Sequence, residues 1–126
     1  MREILFRGKR CDNGEWAYSR CPDGTLHSGV VKYDFIPETV GQFTGVCGKN
    51  GMIFEGDILK FSYTGKNKGV EGTESVVFKN GKFGVEWGWH RELVALDGFA
   101  NTMIEVIGNI HDNPELLGGA DNAKVN

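Results

Sequence analysis

The sequence predicts a mainly β protein, and three observations carry that expectation. Glycine is unusually common, at 19 of 126 residues, with no Gly-X-Y period. Glycines scattered between short apolar runs mark tight turns rather than collagen or helix. Asn-Gly pairs occur at Asn13-Gly14, Asn50-Gly51 and Asn80-Gly81. A type I′ turn requires positive φ at both central residues, so Asn-Gly between alternating apolar residues is a strong hairpin signal. Several segments alternate with the period of two that a half-buried strand demands.

The elements follow in order. Ile4 and Phe6 alternate with Leu5 and Arg7, and beyond Asn13-Gly14 the residues Trp16 and Tyr18 share a face. This reads as a first hairpin, with aromatic cross-strand pairs contributing up to about 1 kcal/mol each. A second strand region is expected over about Thr25 to Tyr33, with a further turn at Asp23-Gly24. Pro37 interrupts, and Val40 to Thr44 reads as a short strand. In the second half, Asp57 to Tyr63 places Leu59, Phe61 and Tyr63 on one face, and Thr73 to Phe78 is rich in β-formers. After Asn80-Gly81, Phe83, Val85, Trp87 and Trp89 alternate with Gly84, Glu86, Gly88 and His90. The glycines opposite that aromatic face admit a close backbone approach or a sharp bend. Asp97-Gly98 is another hairpin-turn candidate, and Met103 to Ile110 is the last strand, with Ile104, Val106 and Ile110 on one side. Asn113-Pro114 starts a short helical turn that Gly118 can end. Residues 119–126 have little to bury and are expected to fray.

Length fits one domain. The expected organisation is a single domain over residues 1–118, with an N-terminal β region over about 1–50 and a β barrel or sheet over about 51–112. The net charge of -3 weighs against a dedicated nucleic-acid binder, although basic residues are unevenly spread. Lys60, Lys66, Lys68, Lys79 and Lys82 crowd the middle of the chain. Cys11, Cys21 and Cys47 form an odd set, which suits a reducing compartment. The start of the chain is too charged for a signal sequence, and no apolar run reaches the roughly 20 residues of a membrane helix. A cytoplasmic protein without membrane contact is the expectation.

Chemistry-bearing patterns are sparse. Glu55-Gly56-Asp57 reads as a polar turn before a strand, with no third ligand at metal spacing. Pro37-Glu38-Thr39 reads as a rigid entry to a strand. Gly41, Gly45 and Gly48 lack the Lys-Ser/Thr and the strand-to-helix setting of a phosphate loop. Cys11, Cys21, Cys47, His27, His90 and His111 show no zinc-ligand spacing, and there is no nucleophile elbow. No catalytic residue, metal or cofactor is therefore assigned. Trp87-Gly88-Trp89-His90-Arg91 is the most suggestive cluster. Trp and Arg anchor protein interfaces, and aromatics beside basic groups stack on bases. Trp87 shares a face with Phe83 and Val85, so core packing accounts for it most simply.

Three stretches carry a family resemblance. They are Met1 to Arg10 with Gly14-Glu15-Trp16, then Ile36 to Gly45 running on through Lys49-Asn50-Gly51 to Leu59, and Glu105 to Leu117. In order and spacing they resemble the YopX family of phage and prophage proteins. The resemblance implies a largely β fold with an SH3-like small barrel in the second half, and it carries over no established catalytic residues. It leaves residues Thr64 to Asn101 unmatched. The leading expectation is a non-enzymatic phage accessory protein acting through protein contacts, a homo-oligomer included. The alternative is a small-barrel nucleic-acid module using the five middle lysines, with Trp87, Trp89, His90 and Arg91 as candidate contacts in either case.

Overall fold

The computed structural model of the chain describes residues 4–21, 34–65, 68–87 and 90–117, with the side chains of 63–65 and 68–71 excepted. Its architecture is mainly β, as the sequence predicts, and among the described residues there is one short α-helical turn, at 115–117. The chain divides into two compact units, Met1–Gly45 and Val46–Asn126.

In the first unit, β1 (Phe6–Lys9) lies between β2 (Trp16–Ser19) and the start of β3 (Gly41–Gly48). Both neighbours are antiparallel to β1. The β1–β2 connection corrects the expected two-residue turn. Arg10 N–H donates to the Glu15 carbonyl at 2.9 Å and Gly14 N–H to the Arg10 carbonyl at 2.8 Å, closing a longer loop. Only Gly14 takes positive φ there, at 72°. The loop slides the register by two residues relative to a type I′ turn, so every side chain keeps its face. Gly8 is needed because Phe35 packs on it: an added Cβ would lie 2.8 Å from the ring. Pro37 opens a 3-10 turn, Pro37–Thr39, as its fixed φ favours. The Thr39 hydroxyl accepts from Lys9 N–H at 2.8 Å and donates to the Ile36 carbonyl at 2.6 Å, tying that turn to β1.

In the second unit, the end of β3 pairs with β4 (Gly51–Phe54) through a turn at residues 49–50. Here too the expected type I′ turn is absent: Gly51 is at φ 127° and Asn50 is not left-handed. Asn50 instead uses its side chain as a strand would use a peptide group. Its Nδ2 donates to the Val106 carbonyl at 2.8 Å, and its Oδ1 accepts from Val106 N–H at 3.0 Å. Strand β5 (Asp57–Gly65) is paired on one side with β6 (Lys68–Ser75) and on the other with β10 (Ile104–Asn109). A second sheet has β8 (Lys82–Trp87) between β7 (Val77–Lys79) and β9 (Glu92–Ala95). At β7–β8 the type I′ expectation holds: Asn80 and Gly81 have φ 55° and 79° between the paired Lys79 and Lys82.

The core of this unit is Ile53, Leu59, Phe61, Val76, Val85, Leu96 and Ile104, all buried, with Phe83, Trp87, Val94, Phe99 and Val106 packed on it. Gly84 allows the close approach that the sequence suggests: an added Cβ would sit 2.4 Å from the Val94 carbonyl oxygen. Two expectations need correction. Asp97-Gly98 lies in a 3-10 turn, Leu96–Gly98, because Leu96 is drawn into the core at 1% exposure. The register of β10 shifts between Val106 and Gly108, so the alternation breaks and Ile110 is exposed. Beyond it, the Asn109 side chain accepts from His111 N–H and Asp112 N–H at 3.0 and 2.9 Å, and Asn113 Oδ1 accepts from Asn109 N–H at 3.2 Å. Gly108 is required beneath this turn, since a Cβ would fall 2.6 Å from Asn113 Oδ1. The strand expected at 25–33, the turn at Asp23-Gly24, the stop at Gly118 and the tail at 119–126 lie outside the described residues.

Candidate functional site

The described residues of the Trp87–Arg91 aromatic cluster take separate places in the structure. Trp87 ends β8 and meets Phe61 edge-on, with ring centroids 5.2 Å apart. Its indole also covers Gly72, where a Cβ would lie 2.5 Å from the ring. Phe61 is 2% exposed, so Trp87 is anchored to the centre of the core cluster. Trp89 lies outside the described residues, and His90 is exposed in the turn before β9. Arg91 sits in that turn with φ 55°. Its guanidinium makes a two-pronged pair with the Glu74 carboxylate, at 3.0 and 3.1 Å. That planar fork is the geometry in which an Arg holds a carboxylate best.

Of the five middle lysines, Lys60, Lys79 and Lys82 have described side chains, and Lys79 is paired with a carboxylate. Lys79 donates to Glu86 Oε2 at 2.7 Å, and this bond, with the nearby positive charge, holds the Glu86 carboxyl below the usual carboxylate range. Lys60 is exposed on β5 between Glu105 of β10 and Thr73 of β6. Lys82 is exposed beside the Asn80-Gly81 turn. Lys66 and the side chain of Lys68 lie outside the described residues. Acidic partners thus offset the cations at Lys79 and Arg91, an arrangement that weakens an electrostatic footprint for a polyanion.

The carboxylates and thiols read structurally. Asp57 is 2% exposed, and its Oδ2 accepts from Phe54 N–H at 2.8 Å. With Gly56 at φ 91°, it closes the turn between β4 and β5, as the polar-turn reading of Glu55-Gly56-Asp57 expects. Among the described residues, no group of three or more His, Cys, Asp or Glu is placed to hold a metal ion. Cys11, Cys21 and Cys47 are free thiols. Desolvation, and then the charges of Asp34 and Asp12, push the Cys11 thiol up, the opposite of what a nucleophilic cysteine needs.

A different cluster emerges on the first hairpin. The register sets Lys9 opposite Trp16 and Arg7 opposite Tyr18. The Arg7 guanidinium carbon lies 4.5 Å from the Trp16 ring centroid, and Lys9 Nζ lies 5.5 Å from it. Both distances fall within cation–π range. Arg7 is largely buried at 9% exposure, whereas Tyr18 on the same face is 47% exposed. In the sequence, Arg7 and Lys9 lie near the charged start of the chain, apart from the Trp16–Tyr18 face. Their union follows only from the antiparallel pairing, in which facing residues on the two strands project to one side. The face therefore presents a half-buried indole braced by two cations, with a phenol open to solvent beside it.

The comparison with protein families agrees with the sequence resemblance and corrects its extent, since the match includes Thr64 to Asn101. The family model described as YopX protein matches residues 5–118, so the chain belongs to the YopX family. A search of curated proteins finds no match. Among the described residues, no helix is long and apolar enough to cross a membrane.

Proposed function

We propose that this YopX-family chain is a phage or prophage accessory protein that performs no chemistry of its own. It acts in the host cytoplasm by binding protein, with a second copy of the chain as the first partner to consider. The observation that supports this reading most is the β1–β2 face, where Arg7 and Lys9 brace Trp16 and Tyr18 stands exposed alongside. Trp, Tyr and Arg are the residues that dominate binding hot spots, because each offers a large rigid surface with a polar handle. An indole already fixed between two cations loses little freedom on binding, which favours affinity.

Bases also stack on aromatics, so the same face suits a nucleic acid in principle. The overall charge of -3 and the acidic partners of Lys79 and Arg91 favour protein instead. Light scattering of the pure chain across micromolar concentrations tests self-association directly. A dimer that Tyr18→Ala dissociates supports the reading with a second copy as partner. A monomer throughout removes self-association. A salt-sensitive mobility shift of single-stranded DNA or RNA, lost on Tyr18→Ala, would replace the protein reading with the nucleic-acid one.

A further inference from the structure

The fold treats the side-chain amides of the three Asn-Gly pairs differently, and this has a chemical consequence. Asn followed by Gly is the dipeptide most open to amide loss, because Gly has no Cβ to hinder attack by its own backbone nitrogen. At Asn13 the side-chain oxygen is engaged, accepting from Glu15 N–H at 2.9 Å. At Asn50 both ends are engaged, with Nδ2 and Oδ1 bonded to the Val106 carbonyl and N–H. Asn80 is exposed at the tip of the β7–β8 hairpin, and its side chain makes no hydrogen bond among the described residues.

We infer that Asn80-Gly81 is a modification site at which the folded chain converts Asn80, through a succinimide, to aspartate and isoaspartate. The Gly81 backbone nitrogen attacks Asn80 Cγ and forms the ring C–N bond. The Cγ–Nδ2 bond breaks, and the nitrogen leaves as ammonia, carrying the proton lost by the Gly81 amide. Water then opens the ring at either carbonyl. Hydrolysis at one gives aspartate, and at the other isoaspartate, whose main chain runs through the former side chain.

The attack requires Asn80 to leave its left-handed conformation at φ 55°. That motion is accessible because β7 is an outer strand of three residues, paired to β8 at only three positions. Short outer strands open at the low-stability end of a fold. Reaction at Asn50 must first break two side-chain bonds. The product also alters the hairpin. Aspartate places a negative charge beside Lys79, in competition with Glu86 for its ammonium. Isoaspartate adds a methylene to the main chain of a two-residue turn, which cannot then keep type I′ geometry. The Lys79–Lys82 pairing is lost, and with it the support of the Phe78–Phe83 contact at 4.8 Å.

The test incubates the full chain at neutral pH and physiological temperature, folded and in concentrated urea, and follows each Asn-Gly peptide by mass spectrometry. In the folded chain Asn80 should react fastest, ahead of Asn50 by about tenfold or more for the two bonds that Asn50 must give up. In urea the three sites should converge, since the dipeptide is the same. Isoaspartate-specific methylation should label the Asn80 peptide first. Reaction at Asn13 or Asn50 that matches or outpaces Asn80 in the folded chain overturns the inference. So does a folded chain that spares Asn80 while the unfolded chain reacts there.

Discussion

Removing the Trp87 side chain tests whether that residue belongs to the core. Trp87 meets the buried Phe61 ring at 5.2 Å and fills the space above Gly72. Truncating a fully buried aromatic to Ala costs about 3–5 kcal/mol. An edge-to-face pair adds about 0.5–1.5 kcal/mol beyond buried area, and this is lost as well. Trp87 is only partly buried, so Trp87→Ala should cost about 2–4 kcal/mol, from the same truncation series. With a urea slope of about 1–3 kcal/mol/M, the midpoint should fall by about 0.7 M or more. Far-UV circular dichroism is the assay of choice, since the substitution itself changes the fluorescence. Tyr18→Ala, at a position 47% exposed, should cost less than Trp87→Ala. An unchanged midpoint for Trp87→Ala would mean that the indole contributes surface rather than packing.

The remaining predictions concern other single contacts. Gly84→Ala should destabilise by about 1–3 kcal/mol and speed amide exchange in β8 and β9, because its Cβ meets the Val94 carbonyl oxygen, which is backbone and yields little. Asp57→Ala leaves Phe54 N–H without its acceptor and should cost about 1–3 kcal/mol in thermal unfolding. Glu86 should titrate by NMR below an ordinary glutamate, and Lys79→Met should return it upward. A depressed folded value means that the Lys79–Glu86 contribution is present above the unfolded pKa. It is lost as pH falls through the folded one, so Lys79→Met should flatten that part of the acid dependence.

Local chemistry was readable in the sequence where it alone decides the structure. Asn80-Gly81 forms the expected type I′ turn between the paired Lys79 and Lys82, where the dipeptide's own φ preference suffices. At Asn13 the chain has another solution, the loop closed between Arg10 and Glu15. At Asn50 a distant strand recruits the side chain, and 56 residues of separation hide that from any local rule. Trp87 was legible as core because it shares a face with Phe83 and Val85. The bulge after Val106 was not, because a period-two pattern carries no mark of an extra residue. The candidate binding face fared worst. Its four residues lie in two short segments, Arg7 and Lys9 in one and Trp16 and Tyr18 in the other. Only the register between them places Arg7 and Lys9 against Trp16. The Arg91–Glu74 pair was hidden for the same reason, being a contact between a turn and a distant strand.

The most direct measurement is affinity capture from cells that express the chain, run with and without nuclease treatment, with the parent chain, Tyr18→Ala and Lys82→Glu compared by quantitative mass spectrometry. The account predicts a defined protein, this chain or another, that the parent and Lys82→Glu retain and Tyr18→Ala loses. Capture of the same protein by all three variants, or recovery only of nuclease-sensitive material, would contradict it.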